Sequence, residues 1–242
     1  MKDHLPARLL DAAVGDVAAA DLRACELFDR VGVRFAEDAE LSVAEACRIR
    51  HVDESMMEAE LAGRDGRATA PAGDGRVLDE TCRHVVRYHH GPLRASLGSL
   101  RTFLSAVCGQ TDSVAPMLQD ARRRLEALAE NLLMHFAKEE NILFPAFAAL
   151  AAARQQDARR PPLPFPTVMH PIRVMEVEHE RLESELRALV AIASGCDPGS
   201  DAGAWQDFRS QLEGFSRDLA AHAHFENDLL FARAIELERS LY

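Results

Sequence analysis

His135-Phe136-Ala137-Lys138-Glu139-Glu140-Asn141-Ile142-Leu143-Phe144 is repeated in outline 87 residues later, as His222-Ala223-His224-Phe225-Glu226-Asn227-Asp228-Leu229-Leu230-Phe231. Both stretches follow the pattern His-x-x-x-Glu-x-x-x-Leu-Phe. A histidine and a glutamate four residues apart share one face of an α-helix, so each copy offers a nitrogen and a carboxylate to the same point. Two such pairs can hold two metal ions.

The composition is that of a helical globular protein. The chain has 242 residues, of which 48% are hydrophobic and only 6% aromatic. Alanine, leucine, arginine and glutamate dominate, and these residues favour helices over strands. We therefore expect an all-α fold with a packed core.

Charge and hydropathy exclude two classes of partner. The net charge of −11 would repel a nucleic-acid backbone, and the short run Arg122-Arg123-Arg124 is typical of a solvated helix face. The sequence has no signal-peptide core and no run of eighteen apolar residues, so we expect a soluble, cytoplasmic protein. Five widely spaced cysteines without a C-x-x-C pair predict reduced, mostly buried thiols.

Breaker residues divide the chain into three parts. Residues 1–62 are expected to form a small helical N-terminal domain, residues 63–76 a flexible linker, and residues 77–242 a bundle. Within the bundle we expect helices over 77–107, 117–153, 171–194 and 204–238, in up-down-up-down order.

The N-terminal part is small for an independent domain. A helix is expected from Asp16, and Ser42 and Asp53 are expected to be the N-caps of two further helices. About sixty residues bury little surface, so this part should pack against the bundle or a partner, and a homodimer is compatible with it.

Each long helix directs one histidine inward when its apolar residues are followed in steps of three and four. The second and fourth helices also direct a glutamate inward, and the first helix selects His89 through Cys82, Val86 and Leu93. The expected metal ligands are His89, His135, Glu139, His179, His222 and Glu226.

A single inward histidine is usually an ordinary core residue, but two inward glutamates change the interpretation. An ionised carboxylate in an apolar core costs several kcal/mol unless it is paired or coordinated. No lysine or arginine shares the inward face near Glu139 or Glu226. Either the glutamates are protonated in a metal-free bundle, or cations lie between them.

The donor set favours two first-row metal ions bridged by the two glutamates, and iron is the expected metal. An oxide, water or diatomic gas would fill the remaining positions. Leu143, Phe144, Leu230 and Phe231 should wall the site from water.

The other histidines receive plainer interpretations. We expect His4, His51, His84 and His90 to be exposed, His170 to begin a helix, and His224 to point away from His222. Glu140 and Glu178 are expected to be surface charges, with an outer-shell role as the alternative.

The segments HFAKEENILFP, PIRVMEVEHE, VVRYHH, HAHFENDLLF and VDESMMEAEL resemble the repair-of-iron-centres family of hemerythrin-like di-iron proteins. The resemblance covers essentially the whole chain. It implies a stress-response protein that assists repair of iron-sulfur clusters damaged by nitric oxide or peroxide, with an oxo- and carboxylate-bridged di-iron centre held by the six residues above.

Two departures from the family bear on this expectation. The family usually carries an adjacent Cys-Cys pair near the N-terminus, whereas residues 33–38 here contain no thiol. Second, Gly91-Pro92 follows the His89-His90 pair, and a proline inside a helix clashes with the carbonyl four residues earlier, so we expect a kink there. His90 is therefore the alternative to His89 as the ligand of the first helix.

Four functions therefore remain open from the sequence. They are cluster repair with labile iron, binding or sensing of nitric oxide or oxygen, catalytic reduction of a small molecule, and a metal-free bundle. The first is the leading hypothesis, and it describes a metal-binding repair protein rather than a classical enzyme, with damaged iron-sulfur proteins as partners.

Overall fold

The computed structural model describes residues 8–20, 22–33, 38, 41–62, 75–109, 116–195 and 202–242. Among these residues, the N-terminal part has a 3-10 turn at Leu9–Asp11 followed by four short helices with defined bounds. These are α1 (Val14–Ala20), α2 (Leu22–Val31), α3 (Val43–Arg50) and α4 (Glu54–Ala62). Among the described residues there is no β-strand, and the predicted all-α class is confirmed.

Both predicted N-caps of the N-terminal part are confirmed. The Ser42 hydroxyl accepts a hydrogen bond from the Glu45 backbone N–H, and the Glu45 carboxylate accepts one from the Ser42 backbone N–H. Asp53 accepts a hydrogen bond of 2.8 Å from the backbone N–H of Met56. Each side chain satisfies a backbone group that the first helical turn leaves without a partner.

Four long helices follow, and each boundary lies within two residues of its prediction. They are α5 (75–109), α6 (116–155), α7 (Met169–Gly195) and α8 (202–239). Each packs against the next, and α8 closes the ring on α5. Residues 63–74, most of the expected linker, lie outside the described residues, and Gly75 already belongs to α5.

The core consists of two hydrophobic clusters. One cluster contains residues such as Leu97, Leu125, Leu186 and Phe215 from all four long helices. The other joins the remaining end of the bundle to the N-terminal helices, because Leu27, Phe28 and Met57 belong to the same cluster as Leu78, Phe147 and Phe231. In each long helix, the sequence passes from one cluster to the other within a few residues of the buried histidines and glutamates described below.

Glu238, near the C-terminal end of α8, holds the loop between α6 and α7. Its carboxylate accepts hydrogen bonds from Arg160, from the Thr167 hydroxyl and from the Val168 backbone N–H. This carboxylate therefore ties the proline-rich loop to the start of α7.

Three of the long helices contain a π turn. These turns are Val86–His90 in α5, Glu139–Leu143 in α6 and Phe225–Phe231 in α8. Pro92 and Pro145 follow two of them closely, and a proline neither donates a backbone hydrogen bond nor leaves room for the carbonyl four residues earlier. The irregularity expected at Gly91-Pro92 therefore takes the form of a π turn, in which the Gly91 N–H donates to the Val86 carbonyl five residues back.

Candidate metal centre

Five of the six predicted ligands converge in the middle of the bundle. Each has at least one donor atom within 4.8 Å of a donor atom of every other member, and all are buried. The five residues are His135, Glu139, His179, His222 and Glu226.

The sixth predicted ligand, His89, is not part of this group, whereas its neighbour His90 faces two members of the group. His90 is fully buried, with Nε2 3.3 Å from Glu139 Oε2 and 3.7 Å from Glu226 Oε1. The His89 ring lies instead against His84 and Phe225, at centroid distances of 5.6 and 5.1 Å. The expectation that His90 is exposed is therefore wrong.

The π turn explains why regular stepping along the sequence indicated His89, whereas the structure turns His90 toward the site. Buried positions in α5 advance from Val85 to His90, a step of five, and then to Leu93. An uninterrupted α-helix would have advanced by three or four residues and brought His89 inward. Gly91-Pro92 was the available signal, because a proline in mid-helix is accommodated by this kind of local widening.

The π turn of α6 likewise shifts which residues face inward after Glu139. Ile142, which the regular register directs inward, is 50% exposed, whereas Leu143 is buried. Regular stepping remains correct in α7, where Ile172, Met175 and His179 are all buried and no π turn occurs.

The two carboxylates each face more than one histidine. Glu139 turns one oxygen toward His90, at 3.3 Å, and the other toward His135, at 3.2 Å. Glu226 likewise has Oε1 3.7 Å from His90 Nε2 and Oε2 3.3 Å from His179 Nε2. Each carboxylate therefore turns its two oxygens toward different histidines.

The residues of the site suit bound cations. Nine buried nitrogen and oxygen atoms that can coordinate a metal have no hydrogen-bond partner within the described structure. Such atoms are costly to bury unless something coordinates them. They are the Nε2 atoms of His90, His135 and His179, both ring nitrogens of His222, and all four carboxylate oxygens of Glu139 and Glu226.

Polar side chains orient three of the four histidines through Nδ1. His90 Nδ1 lies 2.6 Å from Glu140 Oε1, and His135 Nδ1 lies 3.2 Å from Glu178 Oε2. His179 Nδ1 lies 3.0 Å from Asn227 Oδ1. Partners of this kind fix the ring orientation and raise the basicity of a coordinating nitrogen. Glu140 and Glu178 therefore each contact a histidine of the site, which is the alternative to a plain surface charge.

The two glutamates differ in their acidity. Burial opposes ionisation of Glu139, but the positive charge of His135 holds its pKa well below the usual range. Burial, reinforced by the charge of Glu139, raises the pKa of Glu226 well above its usual range. Burial also lowers the pKa of His179 to about 4 and that of His222 well below its ordinary value, so both rings are neutral donors near pH 7.

Aromatic rings from the two repeats cover the site. The Phe144 ring stacks against His90 at 6.0 Å, and the Phe231 ring stacks against His179 at 6.2 Å. Both phenylalanines are buried, as are Leu143 and Leu230. This arrangement limits access of water to the donors.

The remaining histidines divide between surface and interior. His51 is exposed as expected, and His170 is the second residue of α7, in agreement with its expected place at a helix start. His224 is exposed and pairs with Asp228. His84 is only 8% exposed, which corrects the expectation of a surface position. His4 lies outside the described residues.

Two of the five cysteines can be described with their side chains. Cys47 and Cys82 are both buried and unpaired, in agreement with reduced thiols. Burial raises the pKa of the Cys82 thiol, which keeps it protonated.

No helix in the described part of the chain is at once long and apolar enough to cross a membrane.

The fold and this cluster define a helical bundle with a buried cation-binding site, and the family model for the "Hemerythrin HHE cation binding domain" matches residues 81–234. The chain belongs to this family. It is similar along 94% of its length to the "Iron-sulfur cluster repair protein YtfE" of Musicola paradisiaca, with 28% identity and 98% of that relative covered. The protein of the same name from Escherichia coli O81 is 26% identical, with 93% of this chain and 97% of the relative covered. The resemblance drawn from the sequence is confirmed.

Proposed function

We propose that this protein holds two iron ions in the buried His/Glu cluster and assists the repair of damaged iron-sulfur clusters. The observation that carries the proposal is the convergence of nine buried nitrogen and oxygen atoms from all four long helices, none of which has a hydrogen-bond partner among the described residues. Its proposed ligands are His90, His135, Glu139, His179, His222 and Glu226.

The donor set supports iron among the first-row metals. Four imidazoles and two carboxylates provide no thiolate and too many donors for one tetrahedral zinc ion. When bound, the two irons would supply redox chemistry and a position for a small ligand. The protein contributes orientation through Glu140, Glu178 and Asn227, and exclusion of water through Phe144 and Phe231.

Cluster repair is supported by relatives that match this chain almost end to end and are named for that activity. The proposed partners are iron-sulfur proteins of the cytoplasm that nitric oxide or peroxide has damaged. Repair requires that iron can leave the centre, so the proposal includes labile iron.

The test is anaerobic purification followed by iron quantification and transfer to apo iron-sulfur acceptors. Wild-type protein should contain about two irons per chain and restore acceptor clusters. The variant with Glu139→Ala and Glu226→Ala should contain neither iron and restore none, because both bridging carboxylates are removed. If wild-type protein kept its iron in the presence of apo acceptors, the repair function would be refuted. If wild-type protein contained no iron, the proposed di-iron centre would be refuted.

A second candidate function is reversible binding of nitric oxide or oxygen without iron transfer. It is favoured by the absence of a cysteine from residues 33–38, where the family usually has an adjacent pair. Residues 34–37 lie outside the described residues. Optical and EPR spectra before and after nitric oxide separate the two functions: a nitrosyl signal that disappears on degassing, with iron retained, would favour gas binding.

A further inference from the structure

One oxygen of Glu140 contacts two side chains of α5. Glu140 Oε1 lies 2.6 Å from His90 Nδ1 and accepts a hydrogen bond of 2.9 Å from Arg94 Nη2. A carboxylate that pairs with a guanidinium is an acceptor, so the proton between it and His90 must be on Nδ1. When His90 coordinates a metal, the coordinating atom is therefore Nε2, which faces the carboxylates of the centre.

Ring stacking adds a second set of contacts to His90. The His90 ring stacks on Phe136 at a centroid distance of 4.0 Å and an interplanar angle of 20°. The Arg94 guanidinium lies over the Phe136 ring, 5.0 Å from the ring centroid. Arg94 thus contacts both the carboxylate and the aromatic ring that contact His90, and rotation of the imidazole would break contacts on two sides.

We propose that Glu140 and Arg94 are a positioning pair that fixes the tautomer and orientation of His90 and so retains the metal bound there. The inference rests on the metal centre of the proposed function, and it adds that the metal at His90 is held more firmly because of this pair. Neither residue touches the metal in this scheme, because both act through the histidine.

The four histidines are held unequally, which makes the proposal specific. His90 and His135 have carboxylate partners on Nδ1, and His179 has an amide. His222 Nδ1 has no partner within the described structure. Loss of a carboxylate partner typically weakens metal binding about 10- to 100-fold.

The chain provides a matched control for the alternative that Arg94–Glu140 only joins two helices. Arg101 Nη2 lies 2.6 Å from Glu126 Oε2, which is a second arginine-glutamate pair between α5 and α6. That pair is more exposed and contacts no histidine among the described residues. A purely structural role predicts equal effects of Glu140→Ala and Glu126→Ala.

The first readout needs no metal. In ¹⁵N-histidine NMR spectra of metal-free protein, Nδ1 of His90 should be fully protonated in wild type and in Glu126→Ala. In Glu140→Ala this nitrogen should be only partly protonated, and Glu140→Gln, whose amide oxygen still accepts a hydrogen bond, should largely restore the Nδ1–H. A fully protonated His90 Nδ1 in Glu140→Ala would overturn the proposal.

The second readout is the rate at which a chelator removes iron from loaded protein. Glu140→Ala should lose one of its two irons about 10- to 100-fold faster than wild type, whereas Glu126→Ala should match wild type. Equal acceleration in the two variants, or none in Glu140→Ala, would overturn the proposal. Wild-type protein that loads iron but repairs no acceptor would refute the repair function and leave this proposal standing on the difference between the variants.

Discussion

The two His-x-x-x-Glu copies have the same pattern in sequence and different surroundings in the structure. In the first copy, His135 contacts Glu178, Glu178 pairs with Lys138, and the pKa of Glu139 is lowered. In the second copy, His222 Nδ1 is unpartnered within the described residues and the pKa of Glu226 is raised. A repeated motif therefore specifies donors, while neighbouring helices decide which copy carries charge when no metal is bound.

Metal binding should remove this difference, since coordination requires both glutamates as carboxylates. We expect iron to raise the free energy of unfolding by about 4 kcal/mol for each site at a free concentration a thousand times Kd. Anaerobic urea unfolding with iron and with a chelator measures this gap. The Glu139→Ala, Glu226→Ala variant should show no gap, and wild-type protein without one would contradict the prediction.

In metal-free protein, neutralising the two glutamates should have unequal effects. Glu139→Gln removes one of the two carboxylates that face buried His135, leaving Glu178, and should destabilise the fold by about 2 kcal/mol. Glu226→Gln replaces a protonated side chain by a neutral one of similar shape and should change stability by less than about 1 kcal/mol. Urea unfolding with chelator present compares them, and equal losses would show that the two copies share one charge state.

The pH dependence of metal-free stability should have opposite signs for the two copies. The lowered pKa of Glu139 gives stability that is present above pH 4.5 and is lost as pH falls through its folded value. The raised pKa of Glu226 gives stability that is present below pH 4.5 and is lost as pH rises through its folded value.

Each contribution can change stability by up to about 1.4 kcal/mol per pH unit, which is the value for one proton. Unfolding measured across this range should show that Glu226→Gln removes the loss at rising pH and that Glu139→Gln removes the loss at falling pH. Curves of both variants parallel to wild type would contradict the assignment.

The smallest effect is expected at Lys138, a partly exposed residue of the first copy that pairs with Glu178. Its pair with Glu178 is partly exposed, with side-chain exposures of 38% and 21%, so Lys138→Ala should cost less than about 1 kcal/mol. Lys138→Arg keeps the cation and serves as the control. A loss above about 2 kcal/mol in thermal unfolding would mean that Lys138 is needed for His135 and its copy of the motif.

The sequence predicted the helices well because apolar spacing and breaker residues act locally. All eight ends of α5 to α8 lie within two residues of their predictions, and Ser42 and Asp53 cap helices as expected. Five of six expected ligands converge for the same reason.

The rest depended on long-range or irregular features. His90 replaces His89, and Leu143 replaces Ile142, because a π turn adds a residue that regular stepping does not count. Glu140 and Glu178 have the sequence appearance of surface charges, and only the packing of α5 and α7 on α6 brings them to histidines.

The π turns also change the rotation of a helix about its axis between the two ends of the bundle. Each lies where its helix passes from one hydrophobic cluster to the other. The wide turn lets the helix on either side keep the rotational position that its own cluster requires. Along α5, α6 and α8, the packing at one end of the bundle therefore does not dictate the helix rotation at the other, while the site residues between them face a common centre.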